Sequence, residues 1–194
     1  MTENADAIPQ IHIGIGEAHL ARSPAILKTV LGSCVGVTFW NPRLVVGALC
    51  HGLLPNCREM ASAVDGYRFV EFAIRDLARK FDALGIHRSE VQIKVFGGAE
   101  QFPSSASDPP RISVGDKNWR TAMEVLRDEH FIVSACDVGG SAGRFVEFNT
   151  MTGKVNVRRL SPMAKSEIRP VITRKEPLCE SCIFPCNDCR RMLR

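Results

Sequence analysis

The chain has 194 residues, 45% hydrophobic and 24% charged, which excludes a largely disordered polymer and fits one full domain with an appendage. Net charge is +4, yet residues 155–194 hold nine Lys/Arg against four Asp/Glu, so a basic tail joins a nearly neutral body. That balance excludes the concentrated basic face of a nucleic-acid-binding domain, and no apolar run approaches the roughly 20 residues of a membrane helix.

Residues 1–9 read as disordered, and the opening MTENADAIPQ has no basic-then-apolar secretion signal. A cytoplasmic protein without membrane insertion is the expectation. Ile11–Ile15 alternates as a half-buried strand, followed by the punctuation of Gly14, Gly16 and Ser23-Pro24. Strands are expected over 26–31, 35–40 and 44–49, with Gly32-Ser33 and Asn41-Pro42 as turns. Residues 64–84 change period. Val70, Ile74, Leu77, Phe81 and Leu84 fall at three- or four-residue steps among charges, an amphipathic helix stopped by Gly85. Residues 91–96 alternate as a strand before Gly97-Gly98, and 103–110 (PSSASDPP) form a polar loop. A second helix is expected over 119–127 with Trp119, Met123 and Leu126 inward. Strands follow over 131–136, 144–149 and 155–160 around the glycine-rich turn 139–143. Many strands and two helices make the fold class α+β. The domain is expected to end near residue 160, with 161–178, which carry three prolines, as an extended linker.

The 35–40 and 44–49 strands, joined at Asn41-Pro42, form a hairpin. It sets Cys34 near one strand end and His51 just past the other. A thiol needs a base or a cationic partner to react at neutral pH, and an imidazole serves both needs. Gly32 and Ser33 allow a sharp turn whose amides can face a developing oxyanion. The bland alternative stands beside this: free cysteine is among the most buried residue types and packs as a small hydrophobe. Cys50 and Cys57 read as such fillers. His12, His87 and His130 read as surface or satisfied core residues, and His19 is a distant rival base. Gly97, Gly98 and Arg144 read as turn residues and an ion-pair partner.

The stretches 29–37 (TVLGSCVGV), Asn41-Pro42 and 46–55 (VGALCHGLLP) resemble the signature of the CheD family, the chemoreceptor glutamine deamidases of bacterial chemotaxis. Further blocks agree: 13–17 (IGIGE), 94–99 (KVFGGA) with Phe102, Val114-Gly115 with Asn118, 137–140 (DVGG), Gly143-Arg144 and 152–159 (TGKVNVRR). The resemblance spans about residues 11–160. It implies a layered β-sandwich flanked by helices and the hydrolysis of receptor glutamines to glutamate with release of ammonia. It puts the nucleophile on Cys34 and its histidine on His51. The threonine that orients the histidine falls on Thr29, with Lys28 at the alternative position. It implies no cofactor for catalysis, and receptor cytoplasmic helices as partners at receptor arrays. Some members also bind a CheC-type phosphatase. Two other readings stay open: a non-catalytic regulator holding that phosphatase or receptors, and a generic cysteine hydrolase.

The tail, 179–194, is cysteine-rich. Cys179, Cys182, Cys186 and Cys189 form two Cys-x-x-Cys elbows, the spacing of a tetrathiolate zinc knuckle. An iron–sulfur cluster or a metal-free redox-active tail are the alternatives.

Overall fold

The computed structural model describes residues 8–56, 66–100 and 112–160. All lie in a compact unit, Met1–Pro162. The expected linker and the cysteine-rich tail, like Cys57 and the 103–110 loop, lie outside the described residues.

The strands are β1 (Gln10–His12), β2 (Glu17–Ala21), β3 (Ile26–Leu31), β4 (Val35–Asn41), β5 (Val46–Gly52), β6 (Gln92–Gly97), β7 (Val133–Val138), β8 (Arg144–Asn149) and β9 (Val155–Arg159). The helices are α1 (Val70–Asp82) and α2 (Val114–Asp128). One sheet has the order β1-β3-β8-β9, the other β2-β5-β4-β6-β7. The five-stranded sheet is the middle layer. Val37, Phe39, Ala48, Cys50, Ile93 and Val95 meet Ile74, Leu77 and Phe81 of α1 and Ala122 and Leu126 of α2. On its other face Leu49 packs with Leu27 and Phe148 of the four-stranded sheet, and Phe96 with Leu31 and Val146. The fold is thus α+β: sheet on sheet, with both helices against one of them.

This layering explains the sequence pattern. β4 and β5 are covered on both faces, so they read as continuous apolar runs rather than alternating ones. β3 and β8 have one open face and alternate strictly. The helix over 64–84 is observed over Val70–Asp82, where Phe81 meets Phe39 at 5.6 Å between ring centroids. The second helix begins five residues earlier than its apolar pattern suggests. Ser113 caps it, its Oγ accepting from the Asp116 amide at 3.0 Å, and its buried stripe is Gly115, Asn118, Ala122, Val125 and Leu126. Trp119 and Met123 are only half-buried.

Two readings are corrected. The first strand stops at His12, because Gly14 and Gly16 turn the chain, and β2 follows with no apolar alternation to announce it. β5 runs Val46–Gly52, two to three residues later than expected, because Leu44 and Val45 complete the turn, Val45 with φ 54°. His51 therefore lies inside the ladder, opposite Gly36, and not past its end.

Candidate active site

The ends of β5 and β6 and the start of α2 meet where β3 passes into β4. Between them lies the turn Gly32–Ser33–Cys34. Its carbonyls are claimed from behind: the Gly98 amide donates to Cys34 O at 2.7 Å and the Ala99 amide to Gly32 O at 2.8 Å. Gly97 is required there. Its φ is +102°, and an added Cβ would lie 2.2 Å from the Cys34 carbonyl oxygen. With those carbonyls turned back, the amides of Ser33 and Cys34 have no backbone carbonyl partner among the described residues. The Ser33 carbonyl is held by Asn118, whose Nδ2 donates to it and to Leu53 O, each at 2.9 Å.

His51 enters from the neighbouring strand. In register it faces Gly36 on β4 and Glu17 on β2. Side chains alternate along a strand, so His51 shares the inter-sheet face with Cys34, two residues before Gly36. That makes the pair diagonal neighbours, at a spacing of ~7 Å between backbones. Gly36 puts no side chain between them.

The opposite sheet orients the imidazole. Thr29 Oγ1 lies 2.8 Å from His51 Nδ1 and donates to the Ile13 carbonyl, also at 2.8 Å. A hydroxyl whose proton is so committed accepts from Nδ1–H. This assigns the tautomer. The lone pair is left on Nε2, which is buried and has no hydrogen-bond partner among the described residues. Lys28, the alternative to Thr29, points out of the sandwich and pairs with Glu147 at 2.8 Å.

Burial sets the resting charge. His51 is 3% exposed and Cys34 is 7% exposed. Desolvation holds the imidazole below its ordinary pKa, with the Ile13 carbonyl and the Glu17 carboxylate pulling the other way. It pushes the Cys34 thiol up to about 11. The resting pair is therefore a neutral thiol and a neutral imidazole, so proton transfer must accompany attack on a bound carbonyl.

The other sequence candidates separate clearly. Cys50 faces the helices, within the apolar core, and its thiol donates to Val37 O. His19 pairs with Leu49, two ladder positions farther from the Cys34 end of β5. Arg144 is 2% exposed and donates to Asp137 Oδ1, Ala142 O and Gly139 O, which pins the 139–143 turn. Burial raises the pKa of Asp137, but Arg144 and Arg159 outweigh it and hold its carboxyl below the usual range. No three His, Cys, Asp or Glu side chains gather as a metal site among the described residues. The four tail cysteines lie outside them. No described helix is long and apolar enough to cross a membrane. The partner missing from the sequence reading is Ile13: its carbonyl anchors Thr29 across 16 residues, and a backbone acceptor leaves no mark in residue type.

Comparison with known proteins identifies the family. The family model for CheD chemotactic sensory transduction matches residues 53–159, a stretch that begins two residues beyond His51. A probable chemoreceptor glutamine deamidase CheD 2 of Geobacter sulfurreducens is 37% identical over 161 residues, covering 83% of this chain and 96% of the relative. A probable chemoreceptor glutamine deamidase CheD of Oleidesulfovibrio alaskensis is 37% identical over 165 residues, covering 84% and 78%. One from Pseudomonas fluorescens is 34% identical over 149 residues, covering 77% and 84%. With the match running through both sheets and both helices, the chain belongs to the CheD family.

Proposed function

We propose that this protein hydrolyses the side-chain carboxamide of selected chemoreceptor glutamines, giving glutamate and ammonia. The observation that carries the reading is the Thr29–His51 hydrogen bond, which leaves a lone pair on Nε2 on the face shared with Cys34. Nε2 takes the thiol proton as Cys34 Sγ attacks the carboxamide carbon. The amides of Ser33 and Cys34 receive the oxyanion. The imidazolium then gives its proton to the leaving nitrogen, and ammonia departs from a thioester. A water attacks that thioester, His51 accepts its proton, and collapse releases glutamate and restores the thiol. Each turnover adds one carboxylate to a receptor helix. The protein works in the cytoplasm at receptor arrays, on receptor cytoplasmic helices.

Mass spectrometry of receptor cytoplasmic fragments tests this. Wild-type protein converts named glutamines to glutamate and Cys34→Ala protein does not. Conversion by Cys34→Ala at the wild-type rate would falsify the mechanism. The deep burial of the sulfur favours a second reading, a non-catalytic regulator holding a CheC-type phosphatase or receptors. Absence of ammonia release from any receptor fragment, with retained binding, would establish it. The tail has a separate role: Cys179, Cys182, Cys186 and Cys189 hold one zinc ion as a tetrathiolate. Elemental analysis of the full chain reads one zinc per chain; four free thiols and no metal would remove the site.

A further inference from the structure

The β4–β5 ladder ends at the pair Val35 and Gly52. Beyond it the two chains part. On one side lies Cys34. On the other, the Leu53 and Leu54 amides both turn away to the Arg68 carbonyl, at 2.8 and 2.9 Å. The fork thus opens beside the nucleophile, two residues past the histidine. One side chain bridges it. Asn118 Nδ2 donates one proton to Ser33 O and the other to Leu53 O. A single planar amide so replaces the ladder bonds that the fork lacks.

The bridge is itself fixed. α2 carries it, and an added Cβ on Gly115 would lie 2.6 Å from both the Gly98 and the Ala99 carbonyls. The helix start is therefore seated on the same segment that holds the Gly32 and Cys34 carbonyls. Asn118 is fully buried, and its Oδ1 has no partner among the described residues. That orphan acceptor is a penalty. What the position gains is two donors from one rigid group, which no apolar residue and no carboxylate supplies.

We propose that Asn118 is a positioning residue, fixing the separation of the backbone branches that carry Cys34 and His51 and so the alignment of sulfur with Nε2. The reaction it serves rests on the deamidase reading; the alignment does not. A misplacement near 1 Å in such a pair lowers the rate by about 10²-fold.

Asn118→Leu removes both donors at similar volume. Its kcat for receptor fragments falls by about 10²-fold while KM stays within about twofold. Alkylation of Cys34 by iodoacetamide supplies a readout independent of receptors. The wild-type rate carries an acid limb as His51 protonates. In Asn118→Leu the His51 inflection disappears, as it does in His51→Ala, and the rate follows the thiolate fraction alone. A merely structural role would lower the melting temperature and leave the limb of the folded protein in place. A folded Asn118→Leu with wild-type kcat or an unchanged alkylation profile overturns the proposal. Should Asn118→Leu fail to fold, Asn118→Asp decides. Its carboxylate faces two carbonyls at neutral pH, and protonation returns one donor. Its alkylation rate relative to His51→Ala therefore rises from about pH 8 to about pH 5, and a flat ratio overturns the proposal. A wild-type protein with a normal acid limb that releases no ammonia would remove the deamidase reading and leave the alignment standing.

Discussion

Cys34, in the turn before β4, and Cys50, on β5, belong to opposite faces of the five-stranded sheet, and both are nearly sealed from water. Burial pushes the first thiol up to about 11 and the second to about 12. On the proposed mechanism, burial therefore does not tell the reactive sulfur from the inert one. The surroundings do. Around Cys50 lie Val37, Ala48 and the apolar faces of both helices. The space between the sheets, by contrast, holds Thr29 and His51, with Arg144 pinning the neighbouring turn. A buried polar network is retained only where its members satisfy one another. Here one atom, the His51 Nε2, is left over. The comparison locates chemistry by polar company rather than by exposure.

The two faces can be set against each other most sharply by removing each sulfur. Cys34→Ala abolishes ammonia release, a loss of at least about 10³-fold. Cys50→Ala keeps activity within about threefold and lowers stability by about 1–2 kcal/mol in urea unfolding. Similar losses from both would erase the distinction. Gly97→Ala comes next. It forces a Cβ against the Cys34 carbonyl at a left-handed φ, and costs about 2–4 kcal/mol with a fall in kcat of about 10²-fold. Thr29→Val keeps the shape and deletes the imidazole's acceptor; kcat falls by about 10- to 10²-fold and stability by about 1–2 kcal/mol. Thr150 is its control. It lies at the other end of the inter-sheet space, accepting from the Ala25 amide at 2.9 Å. Thr150→Val lowers stability by about 1–2 kcal/mol and leaves kcat unchanged.

The smallest effect is on stability against pH. The folded imidazole holds its proton less tightly than the unfolded one, whose pKa is near 6.5. Its contribution is complete above that value and is lost as acid forces a charge into the sandwich. The thiols act in the opposite sense. Their folded pKa values exceed the unfolded 9.0, so stability is complete below pH 9 and declines as the pH rises through about 11 for Cys34 and about 12 for Cys50. Denaturation midpoints should therefore be flat between about pH 7 and 9 and fall on both sides. In His51→Phe the acid decline weakens, and in Cys50→Ala the alkaline one does.

Much of this was legible before any coordinates. β3 has the bounds its sequence suggests, ILKTVL ending at the Gly32-Ser33 turn, and its burial alternates as in a strand with one open face. α1 follows from the spacing of Val70, Ile74, Leu77 and Phe81. Local pattern failed where a partner far along the chain decides the structure. EAHLA forms β2 only because β5 offers it an edge. The first turn of α2 contains Gly115, a poor helix former, chosen there for its closeness to Gly98 and Ala99. The site was half readable. Cys34 and His51 lie on one hairpin, so their proximity is local. Thr29 reaches His51 from the other sheet, and only the packing of the two sheets separates it from Lys28, its outward neighbour. Asn118 belongs to a block of the family resemblance, but its bridge joins three segments, and no one of them reveals that role.

The hydrogen-bond chain from Nδ1 ends on the carbonyl of Ile13, beside a strand of three residues near the start of the protein. Shortening the protein to begin at residue 16 would spare the whole five-stranded sheet and both helices. It would also unmoor the threonine hydroxyl, which could then swing its proton toward the ring nitrogen and favour the wrong tautomer. Such a trimmed protein would also lose the β1 edge of the four-stranded sheet and the buried Ile13 side chain from the inter-sheet core, and would turn over slowly, so fusion partners belong ahead of an intact leading segment.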